Sequence, residues 1–139
     1  INAYKKLLLP IADLVTPNIY EANLLSDLEI RSEEDIENSA RNIIGLGAKA
    51  VLIKGGGLND MKGKDFFLDL DGRKEWLVNN VINTKNTHGS GCTLSAAICG
   101  YKALGFELLD SIRKAKLFVE KSLENSYKIG SGPGPLGHH

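Results

Sequence analysis

Ala50-Val51-Leu52-Ile53-Lys54-Gly55-Gly56-Gly57 is an apolar run that ends in a lysine and three glycines. Four apolar residues in a row, without alternation, predict a strand buried on both faces, as in a parallel sheet. The glycines free the chain to turn away at its end. Upstream, Ala12 to Thr16 is a second short apolar run, closed by Pro17. Between the two lies a helix. Ser32-Glu33-Glu34-Asp35 supplies an N-cap and an acidic first turn, and Ile36, Ala40, Ile43 and Ile44 fall on one face. Gly45 and Gly47 end it. Strand, helix, strand in this order is the parallel βαβ unit.

Working outward, residues 2–9 read as the end of a helix without a capping residue, stopped at Pro10. Ile19 to Ser26 reads as a short helix. Asp65 to Asp71 and Arg73 to Val78 flank Asp71-Gly72, a hairpin signal. A loop from Asn83 to Gly91 leads to a helix from Cys92 to Leu104. A second helix runs from Leu108 to Tyr127, with Ile112, Ala115, Phe118, Val119 and Leu123 inward. The tail from Gly130 to Gly137 is irregular. Two parallel strands and one hairpin make a small α/β sheet, since such sheets usually have about five or six strands. A chain that opens inside a helix fits the same expectation, that the first strands of the fold lie elsewhere.

The composition narrows the function classes. The 139 residues are 42% hydrophobic, enough for a core. Lysine plus arginine equals aspartate plus glutamate at 17 each, so no overall field favours nucleic acid or an anionic membrane. No run of about 18 apolar residues suggests a transmembrane helix. Ile1 to Leu9 lacks the leader and cleavage region of a signal peptide. Cys92 and Cys99, if on one helix, stand roughly 10 Å apart along its axis at ~1.5 Å per residue, too far for a disulfide. A cytoplasmic protein with reduced thiols is expected.

Three stretches carry candidate chemistry. Asn83-Thr84-Lys85-Asn86-Thr87-His88-Gly89-Ser90-Gly91-Cys92-Thr93 precedes an apolar helix. Small residues admit a ligand close to the backbone, and the helix start favours an anion. Cys92 there gains thiolate character. Read blandly, the same stretch is a tight turn with a buried cysteine, and His88 only shapes it. The stretch is neither a Walker A loop nor a dinucleotide fingerprint. Thr16-Pro17-Asn18-Ile19-Tyr20-Glu21 follows a strand, at the sheet end where α/β proteins bind ligands. Asn18 and Glu21 would share a helical face and hold Mg²⁺, partly through water. Their bland reading is an Asn variant of the capping box. Lys54 ends the next strand and is placed to meet phosphates, or is an ordinary strand-end lysine. Lys85 and Thr87 are further candidate nucleotide contacts.

The run Thr84 to Ala97 resembles the signature of the phosphomethylpyrimidine kinases, a branch of the ribokinase-like superfamily. Thr16-Pro17-Asn18 through Glu21-Ala22, Val51 to Gly56 and Gly132 to Pro135 are similar in order and spacing, so the resemblance spans nearly the whole chain. It implies the C-terminal part of a single ribokinase-like domain over 1–139. Such a fold is a three-layer αβα architecture, with a mainly parallel sheet and an antiparallel hairpin. It implies ATP and Mg²⁺ as cofactors. The small-molecule substrate it implies is 4-amino-5-hydroxymethyl-2-methylpyrimidine, then its monophosphate. Cys92 takes the position of the base, where most ribokinase relatives have aspartate. Gly89, Ser90 and Gly91 form the anion hole, Asn18 and Glu21 match the Asn-x-x-Glu motif, and Lys54 matches a phosphate-contacting lysine. Family members are about twice this length, as larger α/β domains are. The chain alone is therefore expected to be inactive and to self-associate as a homo-oligomer. Pyridoxal kinase activity, a thiol hydrolase built on His88 and Cys92, and a non-catalytic nucleotide-binding fragment are the alternatives.

Overall fold

The computed structural model describes residues 1–80, 82, 89–129 and 131–138. It divides into two compact units, Ile1–Val78 and Asn79–His139.

The first unit is built on a three-stranded sheet in the order β1 (Ala50–Lys54), β2 (Lys64–Asp69), β3 (Lys74–Val78). Both pairings are antiparallel, with Leu52 opposite Phe67 and Phe66 opposite Trp76. Short connections impose that direction. The hairpin turn is closed by the Gly72 N–H on the Asp69 carbonyl at 3.1 Å, with Gly72 at φ +79°. Only glycine takes that conformation without strain.

The expected mainly parallel sheet is therefore corrected. Parallel pairing with β1 survives only as bridges at Val15↔Val51 and Asn18↔Lys54. The crossover direction was right, but Pro17 interrupts the ladder. Val15 donates to Ala50 and accepts from Leu52, and Pro17 accepts from Lys54. Pro17 has no N–H to donate in return, so a continuous strand does not form.

Two helices pack on this sheet, α1 (Ile19–Ser26) and α2 (Glu33–Gly45). Ser32 caps α2 by accepting the Asp35 N–H. The Arg31 amide, then the Ser32 hydroxyl, hold the Asp35 carboxyl below the usual carboxylate range. Ile36, Ala40 and Ile43 are fully buried against Val51, Ile53 and Phe66, with Ile44 partly so. Complete burial of one such side chain stabilises by about 1.5–3 kcal/mol. At the amino end, residues 4–8 form a π-helix and Leu9–Ile11 a 3₁₀ turn. Pro10 lies inside that turn rather than stopping the helix, at a position where its missing N–H costs nothing.

The second unit is a helix pair, α3 (Ser90–Ala103) packed on α4 (Leu108–Glu124), joined by a tight turn with Gly105 at φ +92°. Leu94 and Ile98 of α3 are buried, as are Leu109, Ile112 and Ala115 of α4. Phe118 was expected inward and is exposed instead. The tail returns to α4: the Gly137 N–H donates to the Ser122 carbonyl at 2.9 Å and Leu136 is buried. Asn79 and Asn80 both donate side-chain amide hydrogens to Glu120. Among the described residues, no helix is long and apolar enough to cross a membrane.

Candidate active site

The first candidate cluster sits where β1 ends. The parallel bridge sets Asn18 beside Lys54, and the Lys54 N–H donates to the Pro17 carbonyl at 2.9 Å. Asn18 then starts α1 with a complete capping box. Its Oδ1 accepts the Glu21 N–H at 2.9 Å, and its own N–H donates to Glu21 Oε2 at 2.8 Å. The bland reading of Asn18 and Glu21 is thus realised. The cap takes one oxygen of the carboxylate and leaves Oε1 outside it. Mg²⁺ commonly keeps several waters and uses one or two carboxylates plus phosphates. Glu21 with Asn18 fits that mode and not an all-protein cage. Among the described residues, no group of three or more His, Cys, Asp or Glu gathers. Lys54 is half-buried and forms no ion pair with a described residue.

The second cluster is the start of α3. Gly89 holds the N-cap position at φ +85°, ψ 0°, and accepts the Thr93 N–H at 2.8 Å as the first helical bond. That left-handed cap begins the helix at Ser90, two residues earlier than the sequence suggested. Ser90, Gly91 and Cys92 therefore occupy the first turn, whose amides have no partner within the helix. Among the described residues no side chain caps them, and no acidic residue stands in that turn. Cys92 is exposed, not buried as the bland reading had it; Cys99 shares its helix, and both thiols are free. Lys85, Thr87 and His88 lie outside the described residues.

Two residues of interest escaped the sequence reading. His138 brings its Nε2 to 3.2 Å from the Thr93 hydroxyl, so the tail reaches the first turns of α3. Nothing in the irregular tail signalled this. Asp65 is buried and accepts the Gly55 N–H on Oδ1 at 3.1 Å. A carboxylate heading the apolar run Phe66-Phe67-Leu68 was the available signal.

Comparison with known proteins decides the family. The phosphomethylpyrimidine kinase family model matches residues 1–137. The chain belongs to the phosphomethylpyrimidine kinase family. A hydroxymethylpyrimidine/phosphomethylpyrimidine kinase of Synechococcus elongatus is 48% identical over 132 residues, 94% of this chain and 50% of that protein. The chain thus spans about half the length of the curated relatives it matches. Among solved structures, the pyridoxal kinase from Staphylococcus aureus in complex with ADP has a TM-score of 0.93 at 37% identity, covering 99% of this chain and 51% of that one. The same kinase with AMP-PCP and pyridoxal gives the same values. The phosphomethylpyrimidine kinase from Clostridium difficile has a TM-score of 0.69 at 30% identity, over 86% of this chain and 46% of that one. The α/β class and its ribokinase-like neighbours agree with the sequence reading.

Proposed function

We propose that this chain supplies the phosphate-handling part of a kinase domain. That kinase transfers the γ-phosphoryl group of ATP to 4-amino-5-hydroxymethyl-2-methylpyrimidine and to its monophosphate, in thiamine biosynthesis. The observation that carries the reading is the start of α3, with Gly89 in a left-handed cap, no acidic residue in the first turn and, among the described residues, no side chain capping the first amides. Those amides and the helix dipole suit the charge that spreads over a transferring phosphoryl group.

In this reading the hydroxymethyl oxygen of the pyrimidine, or in the second transfer a phosphate oxygen of its monophosphate, bonds to the γ-phosphorus as the bond to the β–γ bridging oxygen breaks and ADP leaves. Cys92 takes the hydroxymethyl proton, and the amides of Ser90, Gly91 and Cys92 receive the equatorial oxygens. Lys54 holds ATP phosphates as a point charge, and Lys85 and Thr87 are further nucleotide contacts. Asn18 and Glu21 would hold Mg²⁺, which when bound neutralises charge on the phosphates. Residues 1–139 are read as the C-terminal part of a single ribokinase-like domain. The ADP and AMP-PCP complexes of the Staphylococcus aureus pyridoxal kinase support a nucleotide at this fold.

Pyridoxal as substrate is the second reading, favoured by the higher structural similarity to the pyridoxal kinase, 0.93 against 0.69. Substrate choice falls to groups outside these residues. The 139 residues alone are inactive in this reading, because their relatives use about twice the length. Exposed apolar side chains such as Leu7 and Ile11, at 71% and 72%, support self-association of the isolated chain.

The test is ATP-dependent phosphorylation of hydroxymethylpyrimidine, its monophosphate and pyridoxal. It compares the 139-residue chain with a polypeptide that joins it to the half its relatives carry. Turnover of the pyrimidines by the longer polypeptide only is the expected result. Turnover of pyridoxal alone moves the assignment to the second reading, and no turnover with any of them removes the kinase. In the active polypeptide, Cys92→Ala lowers kcat by on the order of 10²-fold or more, the usual contribution of a positioned base. Nearly full activity in that variant excludes Cys92 as the base.

A further inference from the structure

Burying a carboxylate is costly unless it is well bonded, yet Asp65 begins the apolar run of β2 at 8% exposure. In the β1–β2 register it stands opposite Lys54. Its Oδ1 accepts the N–H of Gly55, the first amide beyond β1, at 3.1 Å. The preceding amide, that of Lys54 itself, donates to the Pro17 carbonyl at 2.9 Å on the other flank of β1. Two successive amides at the strand end are thus held from both neighbours. Together they hold the two peptide planes that flank Lys54, and with them the direction in which the Lys54 side chain leaves the backbone.

We propose that Asp65 is a positioning residue for Lys54, acting through the Gly55 amide. This rests on the reading of Lys54 as a phosphate contact. A carboxylate is an apt choice, because a charge-assisted hydrogen bond is about twice as strong as a neutral one. Packing adds to the constraint. A Cβ on Gly55 would lie 2.3 Å from the Lys64 carbonyl oxygen and 3.0 Å from that of Met61, so the backbone closes on this residue from both sides. Asn18 shares the arrangement through its bridge to Lys54. One buried carboxylate therefore sets a strand end that carries two of the three phosphate and metal candidates of this unit.

The experiment measures kcat and KM in the longer, active polypeptide. Wild type is compared with Asp65→Ala, Asp65→Asn, Lys54→Ala and the Asp65→Ala, Lys54→Ala pair. Asp65→Ala is expected to lower kcat/KM for ATP by roughly tenfold, the scale of one lost hydrogen bond to a charged group. KM for the pyrimidine should stay within about twofold, since the change acts on the phosphate side. Asp65→Asn, which keeps an oxygen acceptor, restores most of the loss. In the Lys54→Ala background, Asp65→Ala adds less than about twofold, because the two act as one unit. Losses that multiply in the double variant overturn the proposal and leave Lys54 in place. So does an Asn variant as impaired as Ala. Full kcat/KM for ATP in Lys54→Ala removes the reading of Lys54, and this proposal with it. Should Asp65→Ala fail to fold, Asp65→Ser takes its place in the cycle, since its hydroxyl falls short of the Gly55 amide.

Discussion

At the start of α1, Asn18 and Glu21 exchange two hydrogen bonds, and at the start of α2, Ser32 caps the Asp35 amide behind an acidic first turn. At the start of α3, among the described residues, there is no side-chain cap and no acidic residue. A helix start without a cap forgoes about 1 kcal/mol. The two capped helices spend their end groups on their own stability. The third has no capping side chain among the described residues; it is preceded by Gly89 at φ +85° and carries an exposed cysteine in its first turn. α4 also starts without a side-chain cap but carries Asp110 in its first turn; the start of α3 lacks both, and that combination is what marks it as a place to look for an anionic ligand.

The sharpest way to break this contrast is to give α3 what α1 and α2 have. Ser90→Glu places a carboxylate in its first turn. The helix should gain about 0.3–1 kcal/mol from the dipole. Kinase activity of the longer polypeptide should fall by on the order of 10²-fold or more, because the charge competes with the phosphoryl group for the same amides. Tm and kcat/KM moving in opposite directions is the signature. A variant that is more stable and equally active would remove α3 from the phosphate site.

A second comparison sets two glycines against each other. At Gly55 an added Cβ has no room, with the Lys64 carbonyl oxygen 2.3 Å away. At Gly89 no described residue lies within 4 Å of an added Cβ, and the positive φ is what resists substitution. Gly55→Ala should therefore cost about 2–3 kcal/mol, as overpacking does. Gly89→Ala should cost about 1–2 kcal/mol. Urea denaturation of both variants checks the order, and a reversed order would mean that the strand end yields more readily than its contacts suggest.

Much of this was legible because it is local. The bounds of α1 are those the sequence implied, and α2 begins where Ser32 said it would. The turn at Asp71-Gly72 needs a glycine at positive φ, and the dipeptide announced it. What failed to show depends on groups far apart in the chain or on backbone conformation. The start of α3 moved because Gly89 takes a left-handed cap. The parallel ladder shrank to bridges because Pro17 cannot donate, a loss visible only once its neighbours in β1 are known. Asp65 finds its partner ten residues back, in a backbone amide that no side-chain pattern marks. At the site itself, residue types pointed to Asn18, Glu21, Lys54 and Cys92, but only geometry separated a filled cap from an open one.

The filled cap has its own test. Asn18→Ala removes Oδ1 and orphans the Glu21 amide. Stability should fall by about 1 kcal/mol, the usual worth of an Asn N-cap, while Asn18→Asp restores it. If Asn18 also serves the nucleotide, KM for ATP rises in Asn18→Ala beyond what the change in Tm explains.

The smallest expected effect lies at Glu37, a carboxylate of the capped unit with three side-chain donors. It accepts from Lys74 at 3.2 Å, from Trp76 and from Arg41, tying α2 to β3. The hydrogen bond from Lys74 is the main reason its carboxyl sits below the usual glutamate range; Trp76 and the charges of Lys74 and Arg41 add to it, and burial opposes. A lowered folded-state value means that the ionised form binds its partners better in the native state. That stabilisation is full above the unfolded value of about 4.3 and disappears as pH falls through the lower folded value. Lys74 and Arg41 are more than half exposed, at 57% and 56%, so solvent and salt screen the pair. The contribution is about 0.5 kcal/mol. Glu37→Gln should therefore lower stability slightly at pH 7. The gap to wild type should close in acid and narrow in high salt. A gap unchanged at pH 3 would mean that Glu37 acts through packing and the Trp76 hydrogen bond rather than through its charge.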